Sequence, residues 1–177
     1  LLDLGCGTGL ELEPIFARFP ALRVTGVDLT AAMLDRLRAK FPDRELTLIR
    51  GSYVGMDFGR ACYDAAVSFE TLHHLEPEEK GALYRRVWEA LTPEGVYVEC
   101  DYIAATAEEE EALRAEHRRL RMEAGAGEDT LYHFDIPCTL EHQKALLEAA
   151  GFVQVTAEPL EGDTVLLTAR KVTPTGA

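Results

Sequence analysis

Nowhere is this 177-residue chain apolar over the roughly 20 consecutive residues that a helix needs to cross a bilayer, so a helical membrane span is excluded. Basic side chains are scarce: 18 Lys and Arg stand against 31 Asp and Glu, a formal net charge of -13. Broad binding to nucleic acid or to an anionic membrane surface needs clustered cations, and this balance argues against both. The four cysteines, Cys6, Cys62, Cys100 and Cys138, are scattered, with no C-x-x-C pair. That spacing gives no disulfide framework and fits reduced thiols in the cytosol. No secretory segment, internal repeat or second domain is discernible, and the length suits one domain with a substantial core.

What the chain does have is concentrated at its start. Leu1 to Gly9 reads Leu-Leu-Asp-Leu-Gly-Cys-Gly-Thr-Gly: two apolar residues open a strand, an acid sits at Asp3, and Gly5, Gly7 and Gly9 alternate through a turn. Such a turn uses backbone angles that a side chain would block, and it lets the backbone approach a ligand closely, as in nucleotide sites. Thr8 and Glu11 have capping-box spacing, which predicts a helix from about Gly9 with its N-terminus aimed at that ligand. The dinucleotide fingerprint G-x-G-x-x-G does not fit, because the third glycine comes one residue early.

Strands and helices then alternate. Leu12, Ile15, Phe16 and Phe19 recur at helical spacing up to Pro20, Leu22 to Asp28 forms a second strand, and Thr30 caps a helix bearing Met33, Leu34, Leu37 and Phe41. Leu46 to Arg50 is the third strand, Ser52 to Ala61 a loop, Tyr63 to Phe69 the fourth strand, Glu78 to Leu91 a helix, and Val96 to Tyr102 the fifth strand. The pattern means a doubly wound α/β fold, a mostly parallel sheet with helices on both faces, whose ligands bind at the carboxyl ends of the strands. A charged helix over 105–123 interrupts the alternation, with Thr106 and Glu109 at capping spacing and Glu108 to Glu111 as a solvated start. Tyr132 to Pro137 returns toward the sheet, Thr139 caps a last helix, and Phe152 to Thr156 with Thr164 to Arg170 predicts an antiparallel hairpin before a frayed tail from Val172 to Ala177.

D-x-G-x-G-x-G, formed by Asp3, Gly5, Gly7 and Gly9, resembles motif I of the class I S-adenosylmethionine (AdoMet) methyltransferases, and the likeness covers nearly the whole chain. It implies a seven-stranded sheet with an antiparallel carboxyl-terminal hairpin, a single domain at 1–177, and an inserted helix and loop at 105–138. In that family a helical segment precedes the first strand, so a chain beginning inside that strand reads as one lacking it. The resemblance further implies AdoMet as cofactor and S-adenosylhomocysteine (AdoHcy) as product. The glycine loop, with Asp3, Gly5, Cys6, Gly7 and Gly9, would pass under the cofactor's methionine part. Asp28 would take both ribose hydroxyls, Leu29 and Met33 would contact adenine and ribose, and Phe69 would lie beside the reactive end. After the third strand the family usually has an acid for the adenine amino group, whereas this chain has Ser52 followed by Tyr53.

Methyl transfer from a sulfonium is an in-line displacement in which alignment supplies much of the catalysis, and a base is needed only if the acceptor must lose a proton. His74 and His73 have the right intrinsic pKa, His74 being the stronger candidate. Asp101 and Tyr102, with Tyr132 and His133 of the segment that runs on to Phe134 and Asp135, face the expected acceptor pocket. Glu70, His73, His74 and Asp101 have the residue types of a metal set but no ligand-pair spacing, so no metal is expected. The expected activity is methylation of a small molecule in the cytoplasm. The competing readings are an NAD(P)-dependent oxidoreductase and a non-catalytic AdoMet-binding or partner-binding module.

Overall fold

The computed structural model describes residues 1–125, 127 and 133–172. Its frame is one seven-stranded sheet: β1 (Leu2–Leu4), β2 (Val24–Asp28), β3 (Leu46–Arg50), β4 (Tyr63–Phe69), β5 (Leu91–Tyr102), β6 (Val153–Pro159) and β7 (Thr164–Arg170). The spatial order is β3-β2-β1-β4-β5-β7-β6. The first five strands pair in parallel, and β7 runs antiparallel to both β5 and β6. This is the expected architecture, hairpin included.

The helices are α1 (Leu12–Arg18), α2 (Ala31–Lys40), α3 (Pro77–Ala90), α4 (Ala107–Glu123) and α5 (Leu140–Ala149), with a 3-10 turn at Leu72–His74. Val24 and Val27, three residues apart on β2, fall in different core clusters, as opposite faces of a pleated strand require. One cluster packs Leu83, Val87 and Leu147 of α3 and α5 against the sheet, and the other packs Leu12, Phe16, Leu34 and Leu37 of α1 and α2. Among the described residues no helix is long and apolar enough to cross a membrane.

Three local expectations need correction. Helix α1 begins at Leu12, not Gly9, and its cap residue Glu11 makes no side-chain cap hydrogen bond, so no capping box forms with Thr8. The glycine loop therefore meets its ligand as a turn, not as a helix start. Thr30 holds the cap position of α2, but its hydroxyl does not cap; its own N–H donates to Asp28 Oδ1 at 2.7 Å. Glu110, expected in a solvated helix start, is buried and accepts the Thr139 N–H at 2.7 Å, which ties α4 to the start of α5. The Thr106 and Thr139 caps form as expected, accepting from the Glu109 and His142 N–H groups. Of the expected tail, residues 173–177 lie outside the described residues.

Candidate functional site

The carboxyl ends of β1, β2 and β4 bring the glycine loop, Asp28 and the turn after Phe69 together, as the sheet order demands. Each glycine of the loop has a positive φ, between 47° and 68°, but the three serve different ends. A Cβ on Gly5 would collide with Thr71 Oγ1, so this glycine lets the turn after β4 lie against the loop. At Gly9 a Cβ would come within 2.7 Å of Leu37 Cδ1, making Gly9 a packing glycine for α2. Only Gly7 opens on free space: its nearest neighbour would be the Gly5 carbonyl oxygen at 3.9 Å. The Cys6 side chain is buried in the α1–α2 cluster, so only its backbone remains with the loop.

Two carboxylates frame the loop. Asp28 Oδ2 accepts the Gly7 N–H at 3.0 Å and Oδ1 accepts that of Thr30. Its four lone-pair positions are thus half used, leaving capacity for two donated hydroxyls. Asp3 is fully buried, with no N–H group among the described residues donating to it; its polar neighbour is the Glu11 carboxyl, with which it can share a proton. Burial first, then the neighbouring Glu11 and Asp28 carboxyls, push its pKa well above the usual carboxylate range. A buried carboxyl among like charges is unfavourable unless a cation or donor meets it. The α-amino group of an amino-acid-like ligand is such a partner.

Leu29, just past β2, Met33 on α2 and Phe69 at the end of β4 are all exposed large apolar residues. Tyr53 reaches across to the turn after β4, where its hydroxyl lies 2.9 Å from both the Thr71 carbonyl oxygen, to which it donates, and Thr71 Oγ1. Burial pushes the Tyr53 pKa up to about 12, so it stays a neutral donor. Ser52 is exposed, and its hydroxyl accepts the Val54 N–H at 3.1 Å in a local turn. Thr71, the joint between Gly5 and Tyr53, carried no signal in the sequence.

The acceptor side differs most from expectation. Asp101 is buried, and its two oxygens are occupied by four N–H groups. Oδ2 takes those of Leu72 (2.8 Å) and His73 (3.1 Å), and Oδ1 takes His73 Nδ1 (2.6 Å) and the Tyr102 N–H (2.9 Å). Burial tends to raise its pKa, but the His73 hydrogen bond and charge outweigh that and hold it below the ordinary range. His73, 5 % exposed, is thereby oriented, and its ring lies 4.0 Å from that of His74 and 4.9 Å from that of Tyr102. His74 is half-buried, with Nδ1 3.4 Å from the Phe134 carbonyl oxygen; burial and then His73 lower its pKa. His133 is exposed, its ring 5.0 Å from that of His74. Tyr132 lies outside the described residues. Of the two histidines, the weaker candidate from the sequence, His73, is the one a buried carboxylate holds in place.

Beneath Asp101, Glu99 is fully buried on the same strand face and accepts from Tyr84 (2.9 Å) and Tyr97 (2.8 Å), with Gln143 on its other oxygen. The buried Lys80 ammonium donates to Gln143 Oε1 at 3.3 Å. The alternation Tyr97-Glu99-Asp101 along one strand face was the signal that these acids point inward.

Residues 1–95 match the family described as methyltransferase domain. The chain belongs to that family. Among curated relatives, this methyltransferase-domain chain is 31% identical over 168 residues to the carboxy-S-adenosyl-L-methionine synthase of Chromohalobacter salexigens, with 87% of this chain and 62% of the synthase covered. It is 29% identical over 140 residues to the sterol 24-C-methyltransferase of Eremothecium gossypii, covering 75% of this chain and 36% of that enzyme. The chain thus spans less than two thirds of either relative's length. Its fold superposes on a solved S-adenosylmethionine-dependent methyltransferase from Mesorhizobium loti with a TM-score of 0.71 at 21% identity, covering 96% of this chain and 90% of that one. The seven-stranded class I methyltransferase fold follows, and the dinucleotide-oxidoreductase reading gives way.

Proposed function

We propose that this chain is an AdoMet-dependent methyltransferase whose small-molecule acceptor gives up a proton from a hydroxyl or amine as it is methylated. The observation that carries the reading is the buried His73–Asp101 pair at the end of the sheet that also bears the glycine loop and Asp28. When bound, the cofactor supplies the electrophilic methyl group on a positively charged sulfur. The residues present fit that molecule. The buried Asp3 carboxyl, to which no N–H among the described residues donates, suits its amino group, the unused lone pairs of Asp28 suit the ribose hydroxyls, and the space beside Gly7 admits the chain between them. Leu29 and Met33 offer an apolar wall for adenine, and Tyr53 and Phe69 offer aromatic faces to a cation.

His73 takes the acceptor's proton. Asp101 can only accept, so Nδ1 of His73 carries the ring proton toward it and Nε2 is left with a free lone pair. Proton removal by a positioned base contributes typically about 10²–10⁴-fold. His74 and Tyr102 have their rings beside that of His73, and His133 follows beyond His74, so these three border the acceptor side of this nitrogen. All four cysteines are free thiols, and we assign the chain to the reducing cytoplasm.

Thermal unfolding with AdoHcy, AdoMet and NAD in parallel tests the cofactor. At about a hundred times its dissociation constant a ligand stabilises by about 2.7 kcal/mol, which moves the melting temperature of a chain this size by about 5–11 °C. AdoHcy and AdoMet are expected to shift it and NAD to leave it, and Asp28→Ala to abolish the shift; a shift with NAD alone would sink the reading. For the chemistry, His73→Gln is expected to keep AdoHcy binding and lose turnover, and equal turnover in that variant would remove His73 from the mechanism.

A further inference from the structure

His73 has a second neighbour that the base role does not use. Its Nε2 lies 3.6 Å from Asp135 Oδ1, and the same oxygen lies 3.2 Å from His74 Nδ1. These three side chains arrive from opposite sides: two from the 3-10 turn after β4, and one from the segment that leads to α5, about sixty residues later in the chain. Because Asp101 claims the Nδ1 proton of His73, Nε2 points a lone pair at a carboxylate that is itself only an acceptor. Two electron-rich atoms face each other, an opposition relieved by a proton on the ring or by a metal ion between them.

The spacing suits a metal ion. An ion held tetrahedrally at about 2.0–2.1 Å sets its ligand atoms about 3.3–3.4 Å apart, and the two distances here fall on either side of that value. All three ligand atoms lie within 4.8 Å of one another. A metal-binding histidine ordinarily donates its other ring N–H to a carboxylate, which fixes the tautomer and strengthens the ligand; His73 does so to Asp101. Two imidazoles and one carboxylate are borderline donors preferred by first-row divalent ions over calcium or magnesium. Three protein ligands leave further positions open toward the acceptor side.

We propose that His73, His74 and Asp135 form a binding site for a first-row divalent transition-metal ion, zinc being the type. The other three-residue grouping among the described residues, Glu110, Cys138 and His142, serves as the comparison. There Glu110 is already engaged by the Thr139 N–H and His142 Nδ1, and the buried Cys138 thiol has its pKa raised, which disfavours the thiolate a metal needs. Metal at His73 occupies the nitrogen that would take the acceptor's proton, so occupancy and turnover exclude each other. That consequence alone rests on the proposed base.

Titrate the metal-free chain with Co(II), followed by its visible absorption, and with Zn(II), followed by calorimetry. Wild type is expected to bind Co(II) without a thiolate-to-metal charge-transfer band. His74→Ala and Asp135→Asn should each weaken binding at least about tenfold, while Glu110→Gln binds as wild type. An unchanged melting temperature without metal certifies the fold of each variant. No binding by wild type, binding that survives both ligand changes, or a thiolate band lost in Cys138→Ser would each overturn the site. Zinc that binds in this way yet leaves methyl transfer unimpaired would refute the base and leave the metal site standing.

Discussion

Replacing Asp101 with Asn keeps the shape of the most heavily used acceptor near the site and removes half its acceptors. An amide offers one oxygen and one N–H2 group, while the native carboxylate serves two donors on each oxygen. The N–H2 is best seated toward His73, because the imidazole can change tautomer and accept through Nδ1, whereas the Leu72 and His73 backbone groups have no such choice. The Tyr102 N–H is then orphaned. An unsatisfied buried donor costs about 1–3 kcal/mol, and with the loss of charge-assisted strength in the remaining bonds the total is about 2–3 kcal/mol. For a chain of this size that lowers the melting temperature by about 4–12 °C, leaving the fold intact at room temperature. The new tautomer carries its proton on Nε2, which can no longer accept one, so turnover should fall by about 10²–10⁴-fold with AdoHcy affinity kept. The sign in pH follows from the depressed Asp101 pKa. Its stabilisation is present above the ordinary carboxylate value near about 3.9 and is lost as pH falls below it, so the deficit of Asp101→Asn should narrow in acid. Differential scanning calorimetry from pH 3 to 8 with single-turnover kinetics reads all three. A variant that melts within about a degree of wild type and turns over normally would refute the network.

The glycine loop offers a paired test. Gly9→Ala drives a Cβ against Leu37 and should lower the melting temperature more than Gly7→Ala, whose added methyl meets only the Gly5 carbonyl at 3.9 Å. Gly7→Ala should cost more AdoHcy affinity; a single ranking in both assays would contradict the division of roles. Glu99, raised to about 7 by burial and then by Asp101, holds a proton that the unfolded chain releases from about pH 4.3 upward. Stability should therefore fall as pH rises toward 7, and Glu99→Gln should flatten that slope; parallel curves would mean that Glu99 titrates normally.

The sheet was legible because its information is local and periodic. Apolar runs such as Ala65-Ala66-Val67 mark buried parallel strands, and the glycine loop with Asp3 and Asp28 names its own end of the sheet. What escaped was decided by tertiary contact. Gly5, Gly7 and Gly9 look equivalent in the sequence, yet Thr71 and Leu37 assign two of them to packing. Asp101 read as pocket-lining because the end of a strand faces ligands, but a 3-10 turn folded over it and filled it with N–H donors. Asp135 joins His73 and His74 only through the return of the chain after α4, a distance over which no spacing rule applies.

The strand order also bears on how the protein is made. Strand β7, the last of the seven in the chain, lies between β5 and β6, pairing residues 164–170 against β5 and bridging β6 to the rest of the sheet. During synthesis the β5 edge stays open until β7 emerges, and β6 waits beside it with no partner. A ribosome that stalls before Thr164 thus leaves a nascent chain with its cofactor loop complete and a sticky strand exposed, an intermediate that holding chaperones would have to shield.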